Sequence, residues 1–174
     1  MKRTTIIVLL TAVVGVGAFA YGGGGFFQGD YLPVPHYSNI ERDAEITGGY
    51  GYGADRRGSR YGGFGVAIHD TRNNELIGAF GGVISGSQLR TGPLTLSLNL
   101  WTGVGYVNAD VIPSRYATGY LVEADAEAGF AILPWMQMSL YAGMQAIGSF
   151  DAAQLISSAR YMPVIGSRLT WGSF

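Results

Sequence analysis

Glu123, Asp125 and Glu127 stand at alternate positions in a run that is otherwise apolar or small. Side chains of an extended strand alternate between two faces, so this spacing puts three carboxylates on one side. The cation best placed to answer them is Arg168, which shares a face with Val164, Gly166, Thr170 and Gly172 opposite Ile165, Leu169 and Trp171 near the C-terminus. Asn99, Gln137 and Gln145 fall on the polar faces of other alternating runs, and Glu45 and His69 are further candidates for the same network. Acids in excess of bases in a confined space can do one of two things. They make a salt-bridged and hydrogen-bonded plug, or they make a narrow path that prefers cations.

The elements that carry these groups are strands. Tyr120, Val122, Ala124, Ala126, Ala128, Phe130 and Ile132 form the apolar face opposite the carboxylates. After a tight turn at Leu133-Pro134-Trp135, the residues Met136, Met138, Leu140, Ala142, Met144 and Ala146 do the same opposite Gln137, Ser139, Tyr141, Gly143 and Gln145. A third run alternates Leu94, Leu96, Leu98, Leu100, Thr102, Val104 and Tyr106 with Thr95, Ser97, Asn99, Trp101, Gly103, Gly105 and Val107. These strands exceed the usual length of about five or six residues and reach the roughly 9–11 that cross a bilayer when tilted. A soluble sandwich buries its greasy face, whereas a membrane barrel turns it outward to lipid and keeps the polar face inside.

Composition decides between them. The chain is 48% hydrophobic and 13% charged, against roughly 25% charged for soluble domains, which leaves too little charge to coat a water-facing surface. The opening Met1-Lys2-Arg3, the apolar stretch Ile6 to Phe19 and the small-x-small site Ala18-Phe19-Ala20 have the parts of a secretory signal peptide. The apolar core is shorter than the roughly 20 residues of a spanning helix. Residues 1–20 are therefore expected to be removed near Ala20, leaving 21–174 as one barrel domain. With Cys 0, there is no disulfide, thiolate nucleophile or cysteine metal site. Lys+Arg 11 against Asp+Glu 12 excludes a nucleic-acid binder by charge, and no cofactor or metal is implied.

Earlier in the chain, Ile46, Tyr50 and Tyr52 alternate with Glu45, Thr47, Gly49 and Gly51, and Phe64, Val66 and Ile68 alternate with Gly63, Gly65, Ala67 and His69. Asp55-Arg56-Arg57-Gly58 reads as a turn, with Arg56, Arg57 and Arg60 as a solvated cluster. Glu75 to Ser85 is a further strand with faces too similar to tell apart, Ser87 to Pro93 a turn, and Arg160 to Phe174 the last strand. Counting from Ala44 gives seven strands, and bacterial single-chain barrels have even numbers. Parity places the longer loops 35–43, 108–118 and 149–158 outside and the short turns inside, and demands a first crossing over about Gly24 to Val34.

The terminal Phe174 with Trp171 resembles the C-terminal recognition strand by which outer-membrane barrels engage the barrel-assembly machinery, with Gly172 a departure from the pattern. Gly103-Val104-Gly105-Tyr106-Val107 and the segment from Leu133 to Leu140 resemble the small opacity-like and OmpA-like barrels. The tetrapeptide His36-Tyr37-Ser38-Asn39 is similar to the active-site stretch of lipid A 3-O-deacylases, which implies a His base and a Ser nucleophile oriented by a Glu. In extended chain His36 and Ser38 share a face, and Glu45 or Glu41 would complete the set; in that family, however, the motif lies near the C-terminus.

The expected molecule is an all-β, eight-stranded antiparallel transmembrane barrel of a Gram-negative-type outer membrane, in contact with outer-membrane lipid. Its expected role is structural or in surface interaction, with an external ligand at the three long loops and a largely plugged lumen of Glu45, Asn99, Glu123, Asp125, Glu127, Gln137, Gln145 and Arg168. The alternatives are a lipid A-modifying acyl hydrolase using His36, Ser38 and Glu45, and a narrow cation-preferring pore.

Overall fold

The computed structural model describes residues 21–32, 44–71, 75–108, 116–150 and 159–173. All regular structure among them is strand: β1 (Tyr21–Tyr31), β2 (Ala44–Ala54), β3 (Ser59–Asp70), β4 (Glu75–Thr91), β5 (Leu94–Asn108), β6 (Tyr116–Leu133), β7 (Met136–Ser149) and β8 (Arg160–Ser173). Each pairs antiparallel with its neighbours in chain order, and β1 closes on β8 to form a barrel. The first crossing that parity demands is β1, lying slightly earlier in the chain than expected. Closure leaves no unpaired edge.

Three tight turns lie at one end, which also holds the two ends of the sheet, where Gly22 pairs with Ser173. In the β2–β3 turn, one Asp55 carboxylate oxygen accepts from the amides of Arg57 (2.8 Å) and Ser59 (2.9 Å). Gly58 then takes φ +87°, a left-handed conformation open to glycine at little cost. The β4–β5 turn is tighter than expected, because β4 runs on to Thr91 and leaves Gly92-Pro93 alone to reverse the chain. The longer connections lie at the other end, the loop end.

The inner face of the barrel is filled by side chains, as an eight-stranded circumference permits. On β5–β8 it is polar at mid-height, with Asn99, Glu123, Asp125, Glu127, Gln137, Ser139, Gln145, Arg168 and Thr170 all buried. On β1–β4 it is mostly apolar: Phe27, Ile46, Tyr50, Val66, Ile68, Phe80 and Ile84 point inward and are buried. The alternation expected for β2 and β3 is thus present, but the face holding Ile46, Tyr50, Phe64, Val66 and Ile68 is the inner one. Gly49, Gly51, Gly63, Gly65 and Ala67 occupy the middle of the outer face opposite, with Glu45, Thr47 and His69 toward the loop end and Tyr61 toward the turn end. A wall of rings and branched aliphatics must fill the lumen across from the polar wall, since voids inside a barrel forfeit dispersion contacts.

The outward faces of β5–β8 carry Leu94, Leu96, Leu98, Leu100, Val104, Val122, Phe130, Met138, Leu140, Met144 and Ile165, all exposed. Aromatic residues collect at both ends of this surface. Tyr106, Tyr120, Phe150 and Tyr161 lie toward the loop end, and Tyr61, Phe130, Trp135 and Trp171 toward the turn end. Tyr161 and Trp171 share one face of β8; at about 3.3 Å per residue and a tilt near 40°, about 25 Å of barrel height separates them.

Candidate functional site

The site is the polar core of the lumen, and its geometry follows from the stagger of the strands. Glu123, Asp125 and Glu127 descend β6 toward the turn end, and Arg168 on β8 reaches across β7 to all three. Its Nη2 lies 2.8 Å from Asp125 Oδ2 and 3.8 Å from Glu123 Oε1, and its Nη1 lies 2.8 Å from Glu127 Oε2. Nη1 also donates to Asp125 Oδ1 at 3.1 Å, so the planar fork grips Asp125 by both oxygens. Such bidentate pairs are among the stronger charge-assisted contacts. The guanidinium carbon sits 3.9 Å from the Tyr141 ring centroid and 4.8 Å from that of Trp101, which adds cation–π attraction in a desolvated setting.

A second arginine completes the core. Arg60, 3% exposed, donates from Nη1 to Glu127 Oε2 (3.3 Å) and Asn99 Oδ1 (3.2 Å), and packs 3.9 Å over the Tyr52 ring. It is not part of the solvated turn expected for it. The sequence held a usable signal: extending the alternation of Phe64, Val66 and Ile68 back through Gly62 puts Arg60 on that same face. On the expectation of a lipid-facing outer wall, a strand arginine marks the inner face, so its companions belong there too.

The remaining oxygens are satisfied by neutral donors. Asn99 Nδ2 donates to Asp125 (2.8 Å), Ser139 Oγ to Glu127 (2.7 Å) and Gln145 Nε2 to Glu123 (2.6 Å). Trp101 Nε1 donates to Asp125, and the Tyr31 hydroxyl to Gln145. Lower down, Thr95 Oγ1 donates to Gln137 at 3.1 Å, and Tyr50 bonds Thr170. The stacked acids do not repel one another apart because two guanidinium groups and these donors lie between and around them.

Glu45 does not belong to this network. Its parity on β2 turns it to the outside of the barrel, where Gln28 Nε2 donates to Glu45 Oε1 at 2.7 Å, and His69 is its outward cross-strand neighbour on β3. Trp171 is exposed on the outer wall and meets Phe26 edge-on at 6.0 Å. His36 and Ser38 lie outside the described residues, as do Phe174 and most of the three long loops.

Toward the loop end the lumen turns apolar. Ile46, Ile68, Leu121, Ile147, Met162 and Val164 are each 6% exposed or less and close the space above Glu123. The gap among Phe27, Phe64, Val66, Trp101, Leu121, Glu123 and Gln145 measures about 10 Å³, at the lower limit for one water molecule. A groove of about 690 Å³ lies on the outer wall between Leu96, Leu98 and Leu140, floored by Ala126, Ala128 and Ala142; it offers an apolar surface and no reactive group. Among the described residues, no three His, Asp or Glu side chains are placed to hold a metal ion.

No protein family, curated protein or solved structure matches this chain.

Proposed function

We propose that this chain is a small outer-membrane barrel with a structural or surface-interaction role, carrying a sealed polar core in place of a pore. One observation carries the reading. The outward faces of β5–β8 hold no Asp, Glu, Lys, Arg or His among the described residues, and on β1–β4 such groups face outward at the loop end alone, as Asp30, Glu45 and His69. Five charges, by contrast, are buried inside. That is the inside-out arrangement a bilayer demands, because an arginine on the lipid face near the midplane costs about 2–4 kcal/mol. The spacing of the two aromatic girdles, about 25 Å, equals the apolar band of outer-membrane barrels. The leader-like residues 1–20 and the resemblance of Trp171 and Phe174 to a barrel recognition strand support export and assembly by the same route.

A sealed core follows from filling. Among the described residues, Arg60, Arg168 and their acids fill the lumen at mid-height, and the apolar layer above them would exclude hydrated ions. Refolding into phosphatidylcholine vesicles tests both parts. The expected result is a heat-modifiable barrel with protease-protected strands and no channel conductance above the bare bilayer. A chain that stays in the aqueous phase as a folded species would overturn the membrane reading, and steady cation-selective conductance would overturn the plug.

One observation favours a second reading, the lipid-modifying acyl hydrolase. Glu45 faces outward near the loop end, in the strand that follows His36 and Ser38, which is where an acid would have to stand to orient a base acting on membrane lipid. Mass spectrometry of lipid A from cells with and without the protein decides it: unchanged acylation is expected, and a lost acyl chain would transfer the function to those residues.

A further inference from the structure

The two ends of the barrel differ in charge. The described rim at the loop end is dominated by acids, whereas the β2–β3 turn exposes Arg56 and Arg57 and the adjoining β4–β5 hairpin exposes Arg90. The acid within that turn is already occupied: the Asp55 carboxylate accepts the amides of Arg57 and Ser59, and Gln88 N donates to Gly58 O at 2.7 Å, tying the turn to β4. Among the described residues, no hydrogen bond or ion pair engages the guanidinium group of Arg56 or Arg57. The turn therefore presents two exposed cations from a fixed backbone, Arg57 sharing its charge with the Asp55 carboxylate.

The outer wall above that turn differs from the rest of the barrel. Past Tyr61, 56% exposed beside the turn, the cross-strand pairs Gly51–Gly63 and Gly49–Gly65, followed by Gly65–Gly81, leave a stretch without side chains. A Cβ built on Gly65 would meet nothing within 4 Å, and one on Gly51 would approach its nearest neighbour at 3.9 Å. Phe26 on β1 and Val83 on β4, 68% and 60% exposed, stand as walls on either side. Three strand spacings of about 4.8 Å separate β1 from β4 by roughly 14 Å, and the Phe26 ring leans over Gly49, so the open floor toward Val83 takes acyl chain packed along the bare backbone.

On the premise that the barrel spans a membrane, we infer that the turn end binds an anionic phospholipid of the adjacent leaflet. Its phosphate sits on Arg56 and Arg57, and its acyl chains lie along the glycine trough between Phe26 and Val83. Charge complementarity selects the headgroup, and the trough selects a lipid over an acidic polypeptide, which would have no use for an apolar slot above the arginines.

The test is native mass spectrometry of the full chain refolded into vesicles of equal parts phosphatidylcholine and phosphatidylglycerol. The wild type is expected to retain phosphatidylglycerol preferentially, and Arg56→Gln with Arg57→Gln to reduce that preference by about fivefold per arginine removed. Gly65→Leu, which fills the trough without touching the arginines, is expected to lower retention of lipid while leaving the heat-modifiable barrel intact. Equal retention of both lipids by the wild type, or a preference unchanged in the double variant, would overturn the inference, as would displacement of bound lipid by polyglutamate. Failure to insert into either lipid would instead show in protease protection and would remove the membrane premise itself.

Discussion

Arg168 is the residue on which the lumen depends most. It touches three carboxylates from one position and is 2% exposed, so removing it leaves buried charge with a single remaining arginine. Arg168→Ala should destabilise the barrel by about 3–5 kcal/mol, read as a lowered urea midpoint for unfolding from phosphatidylcholine vesicles. Arg168→Lys keeps the charge but not the planar fork and should fall between. Because Arg60 and Arg168 share Glu127 Oε2, Arg60→Ala should cost less alone than in the Arg168→Lys background; simple additivity in that double-mutant cycle would mean that the two arginines act independently. The acids, Asn99, Gln137, Gln145 and Arg168 were legible in the sequence because each lies on the polar face of a well-alternating strand. Arg60 was not, because it stands beside turn residues and before the clear part of β3. Glu45 lies outside, not inside as expected, for a related reason: an acid alone does not mark the inner face, because at the loop end it reaches water from the outer one.

At the scale of the strands, the least apparent feature is the seam where β1 meets β8. Most of β1 is Gly22–Gly25 followed by two phenylalanines, a poor strand by pattern, and it was required by parity before it was visible in the residues. Backbone proximity explains the glycines. A Cβ on Gly25 would lie 1.8 Å from the Leu169 carbonyl oxygen and 2.9 Å from Thr170 Cα, and no backbone group can yield that far without breaking the ladder. Gly25→Ala should therefore impair closure by at least about 2 kcal/mol, reducing the heat-modifiable fraction after refolding, whereas Gly65→Ala, facing open space, should stay within about 0.5 kcal/mol. Equal behaviour of the two would refute the close approach at the seam. The β2–β3 turn adds a pH-dependent element. Hydrogen bonds from the Ser59 and Arg57 amides hold the Asp55 carboxyl below the usual carboxylate range. The folded value is the lower one, so the contribution of the cap is present above the unfolded value and is lost as the pH falls through the folded one. Amide exchange at Arg57 and Ser59, corrected for intrinsic rates, should accelerate in acid in the wild type but stay flat in Asp55→Asn, which retains an acceptor without a titrating proton.

At the scale of the whole molecule, the alternation in the sequence specifies seven strands and parity adds the eighth, but neither says which face of each is inside. On β5–β8 the two faces differ in polarity and the assignment was secure. On β2 and β3 they differ in size instead, ring or branched aliphatic against glycine, and size points the other way from polarity: lipid accepts a bare backbone, while a lumen opposite a charged wall needs bulk. Both walls obey one rule nonetheless, which is that charge is kept off the outer surface between the aromatic girdles. That rule yields the sharpest test of the molecule as a membrane barrel. Leu100 faces outward on β5, six residues from both Leu94 and Tyr106, the first and last described outward positions of that strand, and so stands near mid-height. Thr91 is exposed at the turn end. In a bilayer, Leu100→Arg should cost about 2–4 kcal/mol and Thr91→Arg about 0–1 kcal/mol, measured as the difference in unfolding free energy from phosphatidylcholine vesicles. In a barrel surrounded by water, both changes would be exposed-surface substitutions worth within about 0.5 kcal/mol of nothing. A depth-dependent penalty is thus a signature that water cannot imitate, and equal costs at the two positions would return the apolar outer wall to the category of an unpartnered surface.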